Sequence, residues 1–319
     1  MTFAASAMIA LRAAMRRCRL LAPVLAAGAL AASIAGPVSA QGTPAPAAPA
    51  PSGPTSVAGL RGPLPPLRVC ADPNNLPFSN EKQEGFENRL AELVARGLGT
   101  TLEYVWRPQR RGFVRIGLTE GRCDIVMGVP VGFDPVRTTR PYYGSTYVFV
   151  YRADRGYRIA SLADTLLRHV KIGVHLVGDD YHNPPPAQAL AARGIVQNVK
   201  GYSIFGDYDQ PNPPARLIEA VASGEVDVAI VWGPLAGYFA QRQSVPLSVV
   251  PVPAAGDVSG QQWTFPIAMG VRHRDIGLAQ ALDRVLAIEQ PAVQKLLTDY
   301  GVPLVDAPTP AAGAAARAP

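Results

Sequence analysis

The chain has 319 residues, with 30 Lys or Arg against 24 Asp or Glu, so its formal net charge is +6. Four of the basic residues and no acidic residue lie in the first 40 positions, which leaves a formal charge of +2 on the remainder. The positive charge of the whole chain is therefore no evidence for nucleic-acid binding, and we expect no nucleic-acid partner. About 240 residues outside the low-complexity ends are enough for two small lobes or one large domain.

The first 40 residues have the pattern of a secretory signal peptide. Four arginines precede an apolar stretch from Leu20 to Ala35, and Val38-Ser39-Ala40 is a small-residue cleavage motif before Gln41. The apolar stretch is too short and wrongly flanked for a stable membrane anchor. We therefore expect residues 1–40 to direct the chain to the periplasm.

Two further segments have the composition of disordered chain. Residues 41–66 are dominated by Pro, Ala, Gly and Ser and contain one charge, Arg61, and residues 306–319 are similar in character. Such segments cannot bury enough apolar surface to offset the entropy of ordering. We expect a linker before the folded region and a tail after it.

The first half of the folded region alternates between strand and helix patterns. Its predicted elements are strands near 67–71, 102–106, 124–129 and 142–151 and helices at 85–98 and 110–118. The first helix places its apolar residues at a spacing of about 3.6 and is ended by Gly99. The last strand is rich in aromatic and β-branched residues and is predicted to be a long crossing strand.

The second half repeats this order and then adds two helices. Its predicted strands lie at 170–177, 199–205, 227–232, 246–252 and 265–271. Because the final helices, which are broken at Pro291, have no counterpart in the first half, we expect the chain to cross back. Lobe 1 is then residues 67–152 plus 258–305, lobe 2 is 153–257, and two hinge crossings join them.

Two segments recur 103 residues apart. Leu67–Cys70 corresponds to Val170–Gly173, and Gly121–Gly128 corresponds to Gly224–Val231. In both copies, 53 residues separate the basic residue of the first segment from the glycine that opens the second. Short apolar strands separated by helices are typical of a parallel α/β sheet. The recurrence predicts two similar α/β lobes with a ligand-binding cleft between them.

Two cysteines, Cys70 and Cys123, remain after the predicted signal peptide. In an exported chain a pair of cysteines is more often bridged than free. Each lies at or just before a predicted strand of the same sheet, so neighbouring strands could bring the two together. A disulfide is the favoured interpretation, and two separately buried thiols are the alternative.

In an open parallel sheet, ligands bind beyond the carboxyl ends of the strands. In the first half this rule selects residues after the first and third strands, and in the second half it selects residues after the strands of lobe 2. With one tyrosine of the crossing strand, the predicted cleft residues are Asp72, Asn74, Asn75, Phe78, Pro130, Phe133, Tyr143, Gly178, Asp179, Asp180 and Trp232. The alternative is that Asp, Asn, Pro and Gly serve only as turn formers there.

The densest basic patch after the signal peptide is residues 106–115, and we include its Arg111 among the candidate binding residues. Guanidinium groups near a helix start could hold an anion. A solvated helix face explains the same pattern equally well.

No catalytic or cofactor motif stands out in the sequence. It contains no Gly-rich phosphate loop ending in Lys-Ser/Thr, no G-x-S-x-G elbow and no C-x-x-C. His175, Asp179, Asp180 and His182 are metal-ligand types, but turn formers separate them and no second cluster completes a coordination sphere. We expect no cofactor, no metal and no enzymatic activity.

At this point the motifs resemble those of a known group. The order of a strand, "GFENRLAELVARGLG", a strand, a helix, "GRCDIVMG" and "PYY" resembles the type II periplasmic solute-binding fold, family 3, over roughly residues 67–305. Within it, "RVCADPNNLPFSN", "WRPQRRGFVR", "TTRPYYGSTYVFVYR" and "VWGPLAGYFA" resemble one branch. That branch is the J proteins associated with quinoprotein methanol dehydrogenases, the MxaJ/XoxJ type.

One departure from the parent family bears on function. Amino-acid binders of this fold usually carry an arginine some nine residues before "PYY" that clamps the ligand carboxylate. This sequence has Gly132-Phe133 at that distance, and Arg137 lies too close to Tyr142. The resemblance therefore implies an accessory role in making or activating a dehydrogenase that depends on pyrroloquinoline quinone.

Three classes of function follow. The first is a periplasmic, non-enzymatic accessory protein that grips a segment of the dehydrogenase in the cleft. The second is a substrate-binding component of an ABC importer that carries a small-molecule ligand. The third, an enzyme, is disfavoured because the motifs place no acid/base pair.

Overall fold

The computed structural model describes residues 64–177, 183–205, 207–253 and 260–306, and every structural statement below concerns this part of the chain. The predicted signal peptide, nearly all of the predicted linker and the tail from residue 307 onward lie outside it. Within the described residues, no helix combines the length and apolar character needed to cross a bilayer.

Twelve strands form in the described residues. They are β1 (Leu67–Ala71), β2 (Asn74–Asn75), β3 (Ser79–Asn80), β4 (Leu102–Trp106), β5 (Ile125–Pro130), β6 (Arg137–Thr138), β7 (Tyr143–Arg152), β8 (Ile172–Leu176), β9 (Val199–Ser203), β10 (Val228–Trp232), β11 (Leu247–Pro251) and β12 (Thr264–Val271). Short buried strands rich in Val and Ile are typical of parallel sheets that are covered on both faces.

Six α-helices lie between or after these strands. They are α1 (Phe86–Leu98), α2 (Pro185–Ala192), α3 (Arg216–Ser223), α4 (Gly233–Ala240), α5 (Ile276–Ile288) and α6 (Gln290–Asp299). Helix α1 ends where the sequence predicts, because Gly99 adopts the left-handed conformation with φ +70° and its N–H closes the last turn. At the other end, Asn88 Oδ1 accepts a hydrogen bond from the Gly85 N–H at 3.1 Å.

The strands join in the order β4-β1-β5-β12-β7-β10-β8-β9, and β11 and β6 add to β7 and β12. β7 is the central element. Its first half pairs with β12, and its second half pairs with β10 and β11. One continuous strand therefore connects the sheet built by the first half of the chain with the sheet built by the second. The lobe boundaries given above remain predictions.

The sequence repeat corresponds to a repeated strand register. β1 pairs in parallel with β5 through Val69 and Ile125, and β8 pairs in parallel with β10 through Ile172 and Val228. The partners are 56 residues apart in both halves. Gly121 and Gly224, which open the second segment of each copy, both have φ +80°. A positive φ at both turns explains why glycine occurs at both positions.

The predicted disulfide is confirmed. Cys70 and Cys123 are joined, with their Cα atoms 5.5 Å apart, and both are buried. The predicted helix at 110–118 is shorter than expected and includes a π-helix at Arg115–Thr119. Gly117 lies against the bridge, since a Cβ there would be 2.3 Å from Cys70 Sγ. The disulfide therefore shapes this segment.

Four buried clusters form the interior. The largest joins β1, α1, β5 and β12 with the C-terminal helices, so that Leu90 of α1 and Leu282 of α5 belong to one cluster. Two clusters cover the faces of the sheet around β8 and β10. The fourth surrounds the disulfide. Leu76, from the loop after β1, is buried in a cluster otherwise made mainly by residues 148–239.

Candidate functional site

Asp72 follows β1 and is almost fully buried. Its carboxylate accepts hydrogen bonds from the backbone N–H of Asn74 at 2.8 Å, from the backbone N–H of Gln109 at 2.5 Å and from the hydroxyl of Tyr208. Its own N–H donates to Ser79 Oγ at 3.1 Å. The carboxylate therefore ties together three segments of the chain.

A second loop, between β9 and α3, meets the Asp72 loop. Besides the Tyr208–Asp72 hydrogen bond, Asn74 Nδ2 donates to the carbonyl oxygen of Gln210 at 3.0 Å. The guanidinium of Arg110 lies 5.1 Å from the centre of the Tyr208 ring, within cation–π range. We call this contact between residues 72–75 and residues 207–210 the loop junction. It joins the two halves at the carboxyl ends of β1 and β9.

Aromatic side chains lie near the same strand ends. Trp232 ends β10, and its ring centre is 5.3 Å from that of Tyr147 and 5.9 Å from that of Phe265. Trp232 also packs, with Phe78 and Phe265, against the buried cluster that contains Phe86 and Tyr143. Ring contacts link Phe78, Phe86 and Tyr143 to one another in series, and they link Tyr147, Trp232 and Phe265. We call these six residues the aromatic cluster.

Glu87 lies in the first turn of α1, beside Gly128 of β5. A Cβ on Gly128 would be 2.4 Å from Glu87 Oε1, which places the Glu87 carboxyl against Gly128, and the φ of +68° favours glycine there. Burial and, secondarily, the charge of Asp72 raise the pKa of Glu87 to about 8. A perturbed carboxyl near predicted cleft residues is a sign of a functional site.

His175, near the end of β8, is the second perturbed group. Burial lowers its pKa to about 4, so the imidazole is neutral at neutral pH. The residues that the sequence placed beside it in a metal-like pattern, Asp179, Asp180 and His182, lie outside the described residues.

The structure brings together part of the predicted site. Asp72, Asn74 and Asn75 share the neighbourhood of Gln109, whose Oε1 accepts a hydrogen bond from Asn75 Nδ2 at 3.1 Å. Phe78, Tyr143 and Trp232 belong to the aromatic cluster. The predicted residues Gly178, Asp179 and Asp180 lie outside the described residues.

The remaining described residues of the predicted site are Phe133, Pro130 and Arg111. Phe133 packs against the cluster around the disulfide, Pro130 is exposed at the end of β5, and Arg111 is exposed before the π-helix. The sequence interpretation missed Gln109, Tyr208 and Glu87. Applying the strand-end rule to β9 would have selected the loop containing Tyr208.

A cavity of about 530 Å³ lies away from these groups. Its walls are β11, the end of α4 and residues 301–303. It contains none of the predicted cleft residues.

Comparison with known proteins identifies the family. A family model described as bacterial extracellular solute-binding protein matches residues 132–302. Protein MoxJ of Methylorubrum extorquens is 32% identical over 246 residues, which cover 75% of this chain and 81% of that protein. The chain belongs to the MoxJ family of bacterial solute-binding proteins.

Solved structures agree with this assignment. The periplasmic binding protein XoxJ from Methylobacterium extorquens AM1 is 33% identical with a TM-score of 0.62, over 75% of this chain and 99% of that one. MxaJ from Methlophaga aminisulfidivorans is 30% identical with a TM-score of 0.65, over 75% of this chain and 100% of that one. The predicted α/β fold of the type II periplasmic-binding-protein kind and the predicted resemblance to the MxaJ/XoxJ type are both confirmed for this MoxJ-family chain.

Proposed function

We propose that this protein is a periplasmic, non-enzymatic accessory protein of a pyrroloquinoline-quinone-dependent, methanol-type dehydrogenase. It grips a segment of the dehydrogenase at the carboxyl ends of β1 and β10 while the dehydrogenase is matured or activated. The observation that carries the proposal is the link between the loop junction and the aromatic cluster, since the Phe78 N–H donates to the Asn75 carbonyl oxygen at 2.9 Å. Aromatic side chains contribute most of the binding energy at protein interfaces.

Further observations support this role. The extracellular solute-binding family and the Cys70–Cys123 bridge are consistent with a periplasmic location, since disulfides persist in oxidising compartments. Solute-binding families bind ligands, which supports a non-enzymatic role. The grip requires the dehydrogenase segment to displace or extend the loop junction, because Tyr208 already contacts Asp72.

The alternative is a substrate-binding component of an importer for a small metabolite, which the family match favours. Carriage of an ordinary amino acid is disfavoured by Phe133. This residue is one of the two at the distance where the parent family carries its arginine clamp, and it packs against the disulfide cluster.

The test is binding of purified dehydrogenase to the Trp232→Ala variant. We expect affinity to fall by about 2 kcal/mol, or roughly 30-fold, the usual effect of losing an anchoring aromatic. Trp106, a half-buried tryptophan at the end of the edge strand β4, provides the matched control variant Trp106→Ala. The melting temperature of each variant separates lost stability from lost binding. Unchanged dehydrogenase binding by Trp232→Ala would overturn the proposal, and tight stabilisation by a metabolite alone would favour the importer.

A further inference from the structure

Strand β11 lies at an edge of the sheet. Among the described strands it pairs with β7 alone. At one end of this pairing, the Ala153 N–H donates to the Pro246 carbonyl oxygen at 3.0 Å. Six positions after Pro246, the Val252 N–H donates to the Tyr147 carbonyl oxygen at 2.9 Å. Because bonded positions alternate along an antiparallel ladder, positions 248 and 250 also bond to β7.

The positions between them face away from β7. Leu247 and Val249 therefore direct their N–H and C=O groups outward, and Pro251 directs a carbonyl oxygen outward. Within the described part of the chain, no hydrogen bond reaches the outward groups of Leu247 and Val249. Unpaired backbone groups at a sheet edge are a template for the addition of another extended chain.

The cavity of about 530 Å³ adjoins this edge. Leu247, Val249 and Pro251 line it, and as alternate residues of a strand they share one face of β11. The end of α4 and residues 301–303 form its other walls. Glutamine and serine side chains supply its polar lining, and none of the lining residues is charged. Backbone hydrogen-bonding groups and an uncharged cavity of a size typical of ligand sites therefore occur together.

We infer that the outer edge of β11 and this cavity form a docking site for an extended, uncharged polypeptide segment, which adds to the sheet as a further strand. The N–H groups of Leu247 and Val249 are two residues apart, a separation of about 6.8 Å that matches alternate residues of an extended chain. The uncharged lining selects a segment of apolar and small polar residues, since an unpaired charge would lose its hydration there.

The inference deepens the proposed function and rests on it, because the segment belongs to the dehydrogenase. Tyr147 accepts the hydrogen bond from Val252, which follows β11, and pairs on its other side with Trp232. The carboxyl end of β11 is therefore level with Trp232, at two strand spacings or about 10 Å. A segment added to β11 reaches the level of the strand ends where we place the grip, so that one extended stretch of the dehydrogenase occupies both.

Two other occupants fit this edge less well. In a symmetric pairing of two β11 strands about Val249, Pro251 of one copy stands opposite Leu247 of the other, and its missing N–H removes one hydrogen bond at each end. Residues 307–319 consist mainly of Ala and Pro, which are poor strand formers. A partner segment with an N–H group at every residue has neither defect.

The first experiment measures amide hydrogen exchange by NMR in the wild-type protein, alone and with purified dehydrogenase. We expect exchange at Leu247 and Val249 to slow by about tenfold or more in the complex, because their N–H groups become bonded to the added strand. The N–H groups of Ser248 and Val250 already bond to β7 and provide the internal control, so their exchange should change less. If exchange at Leu247 and Val249 is the same with and without the bound dehydrogenase, the inference is wrong.

The second experiment separates the backbone of position 249 from its side chain. Val249→Pro removes the outward N–H and leaves the hydrogen bonds to β7 intact, whereas Val249→Thr keeps that N–H and the shape of the side chain. We expect Val249→Pro to weaken dehydrogenase binding by about fivefold, the effect of one lost hydrogen bond, and Val249→Thr to bind like wild type. Melting temperatures check the folding of both variants. Equal affinities of Val249→Pro and Val249→Thr would contradict strand addition.

A third arm replaces the dehydrogenase with the capped peptide acetyl-Val-Thr-Val-Thr-Val-amide, beside acetyl-Lys-Thr-Lys-Thr-Lys-amide as its charged counterpart. If the dehydrogenase does not bind, the proposed function falls, and slower exchange at Leu247 and Val249 with the uncharged peptide alone still supports the docking site. If Trp232→Ala weakens dehydrogenase binding while neither dehydrogenase nor peptide slows exchange at these two residues, the proposed function stands and the inference is wrong. Slow exchange at both residues in the free protein, with a dimer in sedimentation, would assign the edge to a second copy and would also overturn the inference.

Discussion

Asp227 and Lys171 form a reciprocal pair. The Asp227 carboxylate accepts the Lys171 N–H at 2.9 Å, and the Asp227 N–H donates to the Lys171 carbonyl oxygen at 2.9 Å. In the first half, Asp124 makes the same two bonds with Arg68, at 3.2 Å and 2.8 Å. Both pairs fix the parallel strand that follows the aspartate. The halves differ in what else the aspartate binds.

Asp124 should contribute more stability than Asp227. Although burial alone would raise the pKa of Asp124, hydrogen bonds from Arg68 and Arg272 outweigh it and hold the pKa below its usual value. We expect Asp124→Asn to lower the free energy of unfolding by about 3 kcal/mol, and Asp227→Asn by about 1 kcal/mol. Urea denaturation at pH 7 measures both. Because the folded pKa of Asp124 is lowered, the difference should shrink as pH falls through that pKa. Equal losses at pH 7 would contradict this account.

Removing the disulfide should destabilise the protein by about 4 kcal/mol, because the bridge closes a loop spanning 53 residues. The measurement is chemical denaturation of the Cys70→Ser/Cys123→Ser double variant beside oxidised wild type. Wild type treated with a reductant provides the matched comparison without a substitution. A double variant as stable as oxidised wild type would contradict the expectation that the bridge stabilises the protein by restricting the unfolded chain.

Tyr208→Phe should loosen the loop junction without unfolding either half. The variant loses the hydroxyl that donates to Asp72, while the hydrogen bonds from Asn74 and Gln109 remain. We expect faster hydrogen exchange at residues 72–75 and 207–210, corresponding to a free energy of local opening that is lower by about 1–2 kcal/mol. Tyr157→Phe, at a half-buried tyrosine that packs on Tyr151, is the control. Unchanged hydrogen exchange in Tyr208→Phe would mean that the Asn74–Gln210 hydrogen bond and the contact of Arg110 with the ring at position 208 are enough to hold the loop junction.

His175 should make the protein sensitive to acid. Its folded pKa of about 4 lies below the ordinary 6.5, so the unfolded chain binds more protons between these values. The contribution of neutral His175 to the free energy of unfolding is therefore fully present above pH 6.5. It is lost as pH falls toward 4, by up to about 1.4 kcal/mol per pH unit. Between pH 7 and pH 4.5, we expect the free energy of unfolding of His175→Gln to fall by about 2 kcal/mol less than that of wild type, as measured by urea denaturation at each pH. The exposed His169 supplies the control His169→Gln. If the free energy of unfolding falls with pH in the same way for His175→Gln and wild type, His175 is not the source of the acid sensitivity.

The fold was largely predictable because its signals are local. The apolar period of α1, the glycine that ends it and the repeated 53-residue spacing each specify a strand, a helix or a turn from neighbouring residues. The segment at 110–118 was less predictable. Its geometry depends on the contact of Gly117 with Cys70, which lies 47 positions earlier and is brought to it by the tertiary fold.

The site was less predictable, because contacts between loops depend on tertiary arrangement. Asp72 and Trp232 were found by the strand-end rule. Glu87 resembles any acidic residue in the first turn of a helix, where the helix dipole favours negative charge. Its position against Gly128 becomes visible only when β5 lies beside α1. Tyr208 was missed because its loop has no regular pattern.

The bridge between Cys70 and Cys123 has a consequence for biogenesis. Both cysteines precede β12, whose following residue Arg272 donates to the Cys123 carbonyl oxygen at 2.6 Å. On the proposed route to the periplasm, the chain crosses the membrane from its N-terminus and exposes both thiols well before Arg272, 149 positions after Cys123, has followed. Oxidation can therefore lock β1 to its neighbour while the sheet is still incomplete. Strand β12 would then pair with β5 after the disulfide has already fixed the register of β5 against β1.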